Sequence, residues 1–381
     1  MFRAILDLFP SLQWGPLRLF RSHLFLLGAA TALSSAAVGV FLPRFFARLP
    51  RDRGKALVKD GAASAGKPTG AGLPMFLLTL PALFFALPLF PLTGVPGPAF
   101  NRQWAVVGCM ALSMLSGWFD DRSEKEWSRL RKGLLDAAIA ALAAASLSGF
   151  TDVEVWLPVT KRFFAVPWPV YAALATPVLW FTINATNCSD GVDGLAGSLT
   201  LLSLCGLAAI LYGVVGHEEM SRYLLVPHNH HGARWAILCM AFAGATAGYL
   251  WWNANPSHVL MGDAGSRPLG LLVGVAALAA GNPFLVLVLA PVALVNGGSG
   301  LLKIVLLKTI ARLGFDNGAP GAASGGRRPC LLARALRSVR FPLHDQAKTV
   351  GHWTNPQVLM RFTLVQAGLM PLLFLLLLKI R

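Results

Sequence analysis

An all-α, polytopic integral membrane protein with about ten transmembrane helices is the fold class this sequence predicts, and three observations carry that prediction. Of its 381 residues, 55% are hydrophobic and only 13% charged, about half the charged share of an ordinary soluble domain. Mean hydropathy is +0.59. Apolar runs recur from end to end without a soluble-type boundary, so 1–381 is expected to form a single integral membrane domain. This composition excludes a soluble globular enzyme.

A helix needs about 20 apolar residues to cross the hydrocarbon core. Segments of that character lie at roughly 24–42, 73–92, 104–119, 134–150, 168–186, 195–215, 234–252, 268–281, 283–307 and 358–378. The first follows Arg3, Arg18 and Arg21 and has no cleavage site after it, so it is expected to be retained as a span. Pro81, Pro88, Pro91, Pro177 and Pro291 fall within spans, where neighbouring helices can satisfy the backbone groups that proline frees. The ninth segment contains Asn296-Gly297-Gly298-Ser299-Gly300 and is expected to be a broken helix. The cysteines Cys109, Cys188, Cys205, Cys239 and Cys330 are odd in number and lack paired spacing. They form neither a disulfide framework nor a zinc site.

An even number of spans puts both termini on one side. The loops after the odd-numbered spans hold 23 of the 33 Lys and Arg residues, which makes those loops cytoplasmic by the positive-inside rule. The net charge of +16 is therefore first a signal of topology. The partner it implies is the lipid bilayer with its anionic headgroups, not nucleic acid.

Acids are scarce, 17 in all, and their placement is informative. The third span ends in SGWFDDR with Asp120 and Asp121. The fifth ends in NATNCSDGVDGLAG with Asn184, Asn187, Asp190 and Asp193. The seventh is followed by WWNANPSHVLMGDAGSRPLG with Asn253, Asn255 and Asp263. Parity brings all three clusters out on the cytoplasmic face. Carboxylates crowded at a low-dielectric boundary repel unless they hold a cation. Carboxylate and amide oxygens suit Mg²⁺, which commonly binds through one or two carboxylates plus substrate phosphates. The constellation points to Mg²⁺-assisted phosphoryl chemistry at a membrane surface.

At these residues the sequence resembles the polyprenyl-phosphate N-acetylhexosamine-1-phosphate transferase superfamily, and within it the phospho-N-acetylmuramoyl-pentapeptide transferases. NATNCSDGVDGLA stands for the family string NxxNxxDGxDGLA, and MGDAGSRPLG for MGDxGSxxLG. GKPTGAGLPMF at 66–76 is similar to the TPTxGG loop, and FPLHDQ at 341–346 to the last cytoplasmic loop. The resemblance implies ten helices in the bacterial inner membrane, external termini and a cytoplasmic active site. It also implies transfer of phospho-MurNAc-pentapeptide from its UDP carrier to undecaprenyl phosphate, with release of UMP, and a homodimer as a family expectation. Carried over by position, Asp263 is the principal Mg²⁺ ligand, and Asn187, Asp190 and Asp193 line the diphosphate and metal. Asn253 holds the nucleotide side, and Asp120 and Asp121 face the lipid phosphate. Asn184 and Ser266 are further substrate contacts, and His344 hydrogen-bonds diphosphate or sugar. The muramoyl branch usually has three histidines where this chain has His344-Asp345-Gln346, and the family lysines are out of register. Lys67 or Lys59, and Lys132 or Lys125, are the candidates to replace them.

Two other features carry less. Residues 61–67 match the start of a GxxxxGK phosphate loop, but Pro68 stands where Ser or Thr is required. His228, His230 and His231 fall on the external side by parity. A sister transferase using GlcNAc-1-phosphate is the first competing function, and the last cytoplasmic loop separates the two branches. A transporter is the remote one, opposed by acids that lie at one face and not at the midplane.

Overall fold

The computed structural model describes residues 19–54, 64–89, 100–125, 127–157, 162–313, 315–316, 328–329 and 331–372. Lys59, Cys330, most of 314–329 and the end of the last expected span lie outside the described residues.

Within the described residues each apolar segment is occupied by helix. In chain order these are α1 (His23–Phe41), α2 (Gly72–Ala86), α3 (Arg102–Arg122), α4 (Arg129–Ser148), α5 (Trp168–Cys188), α6 (Leu195–Gly213), the short α7 (Glu218–Leu224), α8 (Gly232–Asn253) and α9 (Asp263–Ala279). Local chemistry sets several of the starts. The Asn101 side chain accepts from the N–H groups of Gln103 and Trp104 to open α3, and Ser128 accepts from Arg131 to open α4.

Among the described residues three helical segments are long and apolar enough to cross a membrane by themselves: α1 with the turn that follows it (His23–Phe45), α6 and α8. Three of the other helices carry charged groups within their length. α3 carries Asp120 and Asp121 in its last turn, α4 carries Lys132 and Asp136, and α9 has Asp263 and Arg267 in its first turns. These helices hold the polar groups of the site as part of their own length.

The ninth segment divides into α10 (Leu285–Leu289), a turn at Pro291–Ala293, a π-helical turn at Leu294–Gly298 and α11 (Ser299–Arg312). Pro291–Gly298 and Leu302–Arg312 meet at a bend of 41°. α12 (Leu331–Ser338), α13 (Leu343–Thr349) and α14 (Asn355–Leu369) complete the described chain. Two small β elements depart from the all-α expectation. β1 (Val153–Leu157) pairs antiparallel with β2 (Arg162–Val166) between α4 and α5, and Phe315–Asp316 pairs with Arg328–Pro329.

α9 lies at the centre. Every residue from Ala264 to Ala279 is buried, because α2, α3, α5, α6 and α8 all pack against it. Its glycines, alanines and valines let these neighbours close in on all sides. The N-terminus of this enclosed helix is where the acidic strings meet.

Candidate active site

A helix start leaves backbone N–H groups without partners. At α9 the residue in the capping position is Gly262, with φ +70°, so it offers no side chain to accept them. Asp121, from the last turn of α3, supplies the cap from another helix. Its Oδ1 accepts from the Asp263 N–H at 3.0 Å and its Oδ2 from the Ala264 N–H at 3.0 Å. A carboxylate there also complements the positive end of the helix dipole. The close approach depends on Gly117, one turn earlier in α3, because a Cβ at that position would overlap the Asp263 carbonyl.

The cap places Asp263 inside a charged cluster. Lys132 of α4 bridges two carboxylates, contacting Asp120 Oδ2 and lying 3.3 Å from Asp263 Oδ2. Arg267, one turn along α9, contacts Asp263 Oδ2 through Nη2. The same nitrogen is 3.7 Å from Asp120 Oδ2, while Nη1 is 3.5 Å from Asp136 Oδ1. Asp120 Oδ1 accepts from the Trp127 N–H at 2.9 Å. Four carboxylates and two cations therefore share one end of the bundle, a formal excess of two negative charges.

The NATNCSDGVDGLA string reaches the cluster from α5. Asn187 Oδ1 accepts from the Ser266 hydroxyl at 2.8 Å, one turn along α9 from Asp263. The Asn184 side-chain amide donates to the Trp180 carbonyl of its own helix at 2.9 Å. Beyond α5, Asp190 lies in the turn where its N–H bonds the Asn187 carbonyl at 3.2 Å. Asp193 is strongly engaged. Oδ1 accepts from the Ser257 hydroxyl at 2.8 Å, Oδ2 from the Ser257 N–H and the Asn255 amide at 3.2 Å each, and Lys67 lies 3.8 Å away. Asn253 is buried with both polar atoms committed, accepting from the Gly194 N–H and donating to the Val259 carbonyl, each at 2.7 Å. It ties the 190–194 turn to the loop before α9.

His344 opens α13 next to the broken helix. Its N–H donates to Asn296 Oδ1 at 2.9 Å, and its ring Nδ1 is 3.2 Å from both Asn296 side-chain atoms. Nε2 faces the 190–194 turn so closely that a side chain at Gly191 would overlap it. The side chain is 3% exposed, and burial pushes its pKa down to about 4, with Lys348 adding to the effect and Asp345 opposing it. The imidazole is therefore neutral at pH 7 and acts there through hydrogen bonds.

The structure thus brings Asp120, Asp121, Lys132 and Asp263 into direct contact and joins Asn187 to them through Ser266. Lys67 and Asp193 form a second pair, and His344 a third group beyond Gly191. The histidines 228, 230 and 231 precede α8, whereas Asn253 ends it. By helix length this is roughly 30 Å away. Among the described residues no three His, Cys, Asp or Glu side chains form a ready-made metal cage. Sequence reasoning missed Arg267 and Asp136. Asp136 did carry a signal, since it is an acid inside an apolar span.

An apolar helical bundle with this polar end falls in a defined class: residues 103–281, from α3 through α9, match glycosyl transferase family 4. Two relatives, one from Treponema pallidum subsp. pallidum and one from Treponema pallidum strain Nichols, are named phospho-N-acetylmuramoyl-pentapeptide-transferase. Each is 40% identical over 377 residues, covering 95% of this chain and 93% of the relative. The chain belongs to the phospho-N-acetylmuramoyl-pentapeptide-transferase family.

Proposed function

We propose that the protein transfers phospho-MurNAc-pentapeptide from UDP-MurNAc-pentapeptide to undecaprenyl phosphate, giving lipid I and UMP in peptidoglycan synthesis. The observation that carries this reading is the meeting of Asp120 and Asp121 with Asp263 and Lys132 at the N-terminus of α9. The proposed setting is the bacterial cytoplasmic membrane, crossed ten times, with the site on the cytoplasmic face where 23 of the 33 basic residues lie. A homodimer is part of the proposal, to be tested by mass measurement in detergent.

The donor chemistry fits Mg²⁺. All the anionic groups are oxygens, and they carry a formal excess of two negative charges over Lys132 and Arg267. The lack of a ready-made cage among the described residues is compatible with an ion that takes part of its coordination from substrate phosphates. Asp263 and Asn187 would hold it. Both cations at Asp263 take Oδ2, which leaves Oδ1 without one. When bound, Mg²⁺ would neutralise the diphosphate and stabilise the leaving UMP.

The favoured reaction is a single in-line displacement. An oxygen of the lipid phosphate attacks the phosphorus attached to the sugar, and the bond to the UMP oxygen breaks. A phosphate monoester has its second pKa near 6, so the acceptor is largely a dianion at pH 7 and needs little general base. Lys132 and Lys67 offset charge as the two anions approach, and Asp120 orients the acceptor. Double displacement through Asp193 is disfavoured because both of its oxygens already accept hydrogen bonds from Asn255 and Ser257. The test is UMP release by purified protein with both substrates, with and without a chelator, and with UDP-GlcNAc in parallel. Full activity in Asp263→Asn would overturn the assignment. Preference for UDP-GlcNAc would move it to the sister branch.

A further inference from the structure

Behind the carboxylates lies an ion pair that the reaction scheme above does not use. Arg267 is 0% and Asp136 1% exposed, with Nη1 and Oδ1 3.5 Å apart. That contact is not a good hydrogen bond. Among the described residues Arg267 Nε and Nη1 and Asp136 Oδ1 have no hydrogen-bond partner. A buried pair so incompletely satisfied contributes little to stability, so its effect falls on what Arg267 touches with its other nitrogen. Nη2 contacts Asp263 Oδ2 and lies 3.7 Å from Asp120 Oδ2.

This geometry acts on orientation and on charge. Arg267 fixes the rotation of the Asp263 carboxylate by holding Oδ2, which turns Oδ1 to the other side. The pair also sets the charge. Asp120, Asp121, Asp136 and Asp263 against Lys132 and Arg267 leave two negative charges, the amount one divalent cation neutralises. Without Asp136 one negative charge would remain, and without Arg267 three.

We propose that Arg267, anchored by Asp136, is a positioning residue that orients Asp263 and sets the charge of the carboxylate cluster to match one divalent cation. The proposal rests on the Mg²⁺-dependent reading above. Its test measures metal binding separately from turnover, using Mn²⁺ as a spectroscopic probe titrated by electron paramagnetic resonance into the full chain in detergent without substrates. Asp136→Asn raises the Mn²⁺ Kd at least about tenfold, the change expected from removing one charge within about 20 Å of a divalent ion at an effective dielectric of about 20. The double variant Arg267→Met/Asp136→Asn restores the charge and brings the Kd back to the wild-type value, while kcat stays depressed because Asp263 is no longer held. Arg267→Lys keeps the charge and loses the fork, so the Kd is unchanged and kcat falls less than in the double variant. If Asp136→Asn does not fold, the double and Arg267→Lys variants decide the question alone, since neither leaves an unpaired buried charge. A wild-type Kd in Asp136→Asn, an unrestored Kd in the double variant, or wild-type kcat in both Arg267 variants overturns the proposal. Undiminished Mn²⁺ binding in Asp263→Asn overturns the metal reading itself, which is a distinguishable failure.

Discussion

Asp121→Ala separates a cap from a substrate contact. The side chain accepts two backbone N–H groups at 3.0 Å each, at a helix start whose own capping residue is glycine. Hydrogen bonds to a charged acceptor contribute about 1.5–3 kcal/mol each. Asp121 is only partly buried, so the lower figure applies and the loss is about 3 kcal/mol. Asp121→Asn keeps one oxygen acceptor and loses the charge, for roughly half that amount. The assay is the thermal unfolding midpoint of each purified variant in detergent, followed by UMP release at varied undecaprenyl phosphate. Alanine is expected to lower the midpoint by several degrees and asparagine by less. Activity falls through kcat, because a frayed α9 start displaces Asp263. A midpoint equal to wild type, with all the loss appearing as a raised KM for the lipid phosphate, would refute the capping argument and make Asp121 a substrate contact.

Much of this site was legible because lipid enforces it. Backbone groups in hydrocarbon must be satisfied within a helix, so the apolar runs of the sequence correspond to helix, and scarce charges gather where those helices end. Helical spacing also carried information within single elements. Lys132 and Asp136, and likewise Asp263 and Arg267, are four residues apart and share a helix face. What spacing could not give is the match between the two faces, which depends on how α4 and α9 pack. The trans cap was hidden for the same reason: Gly262 signals a missing side chain but not that Asp121, 141 residues earlier, replaces it. Asn253 shows the opposite limit. The resemblance assigns it to the nucleotide side, and no sequence pattern signals that its amide also bonds the Gly194 N–H and the Val259 carbonyl. The β1–β2 hairpin fell between apolar spans, where a hydropathy reading assigns no element. Its strands VEVWL and RFFAV are rich in Val, Phe and Trp, which is the local signal for it.

Three further perturbations test the packing around the site. Gly117→Ala drives a methyl group into the Asp263 backbone and is expected to abolish UMP release and lower the unfolding midpoint; wild-type activity would mean that α3 and α9 can separate freely. Asn253→Ala strands the Gly194 N–H and the Val259 carbonyl in a buried position, costing about 2–6 kcal/mol. It should lower the midpoint while leaving the KM for nucleotide unchanged in the folded protein, and the reverse result would make Asn253 a substrate ligand. The last test uses pH. His344 has a folded pKa of about 4 against about 6.5 in an unfolded chain. Above pH 6.5 neither state binds the proton, so stability is unaffected. As pH falls from 6.5 towards 4, the unfolded chain takes up a proton that the folded protein excludes, and stability declines by roughly 3 kcal/mol in total. Below pH 4 both states are protonated and this contribution no longer changes. His344→Gln removes the titrating group, so its midpoint should fall less steeply than that of wild type between pH 6.5 and 4.5; parallel curves would show that the imidazole is not held neutral against Asn296.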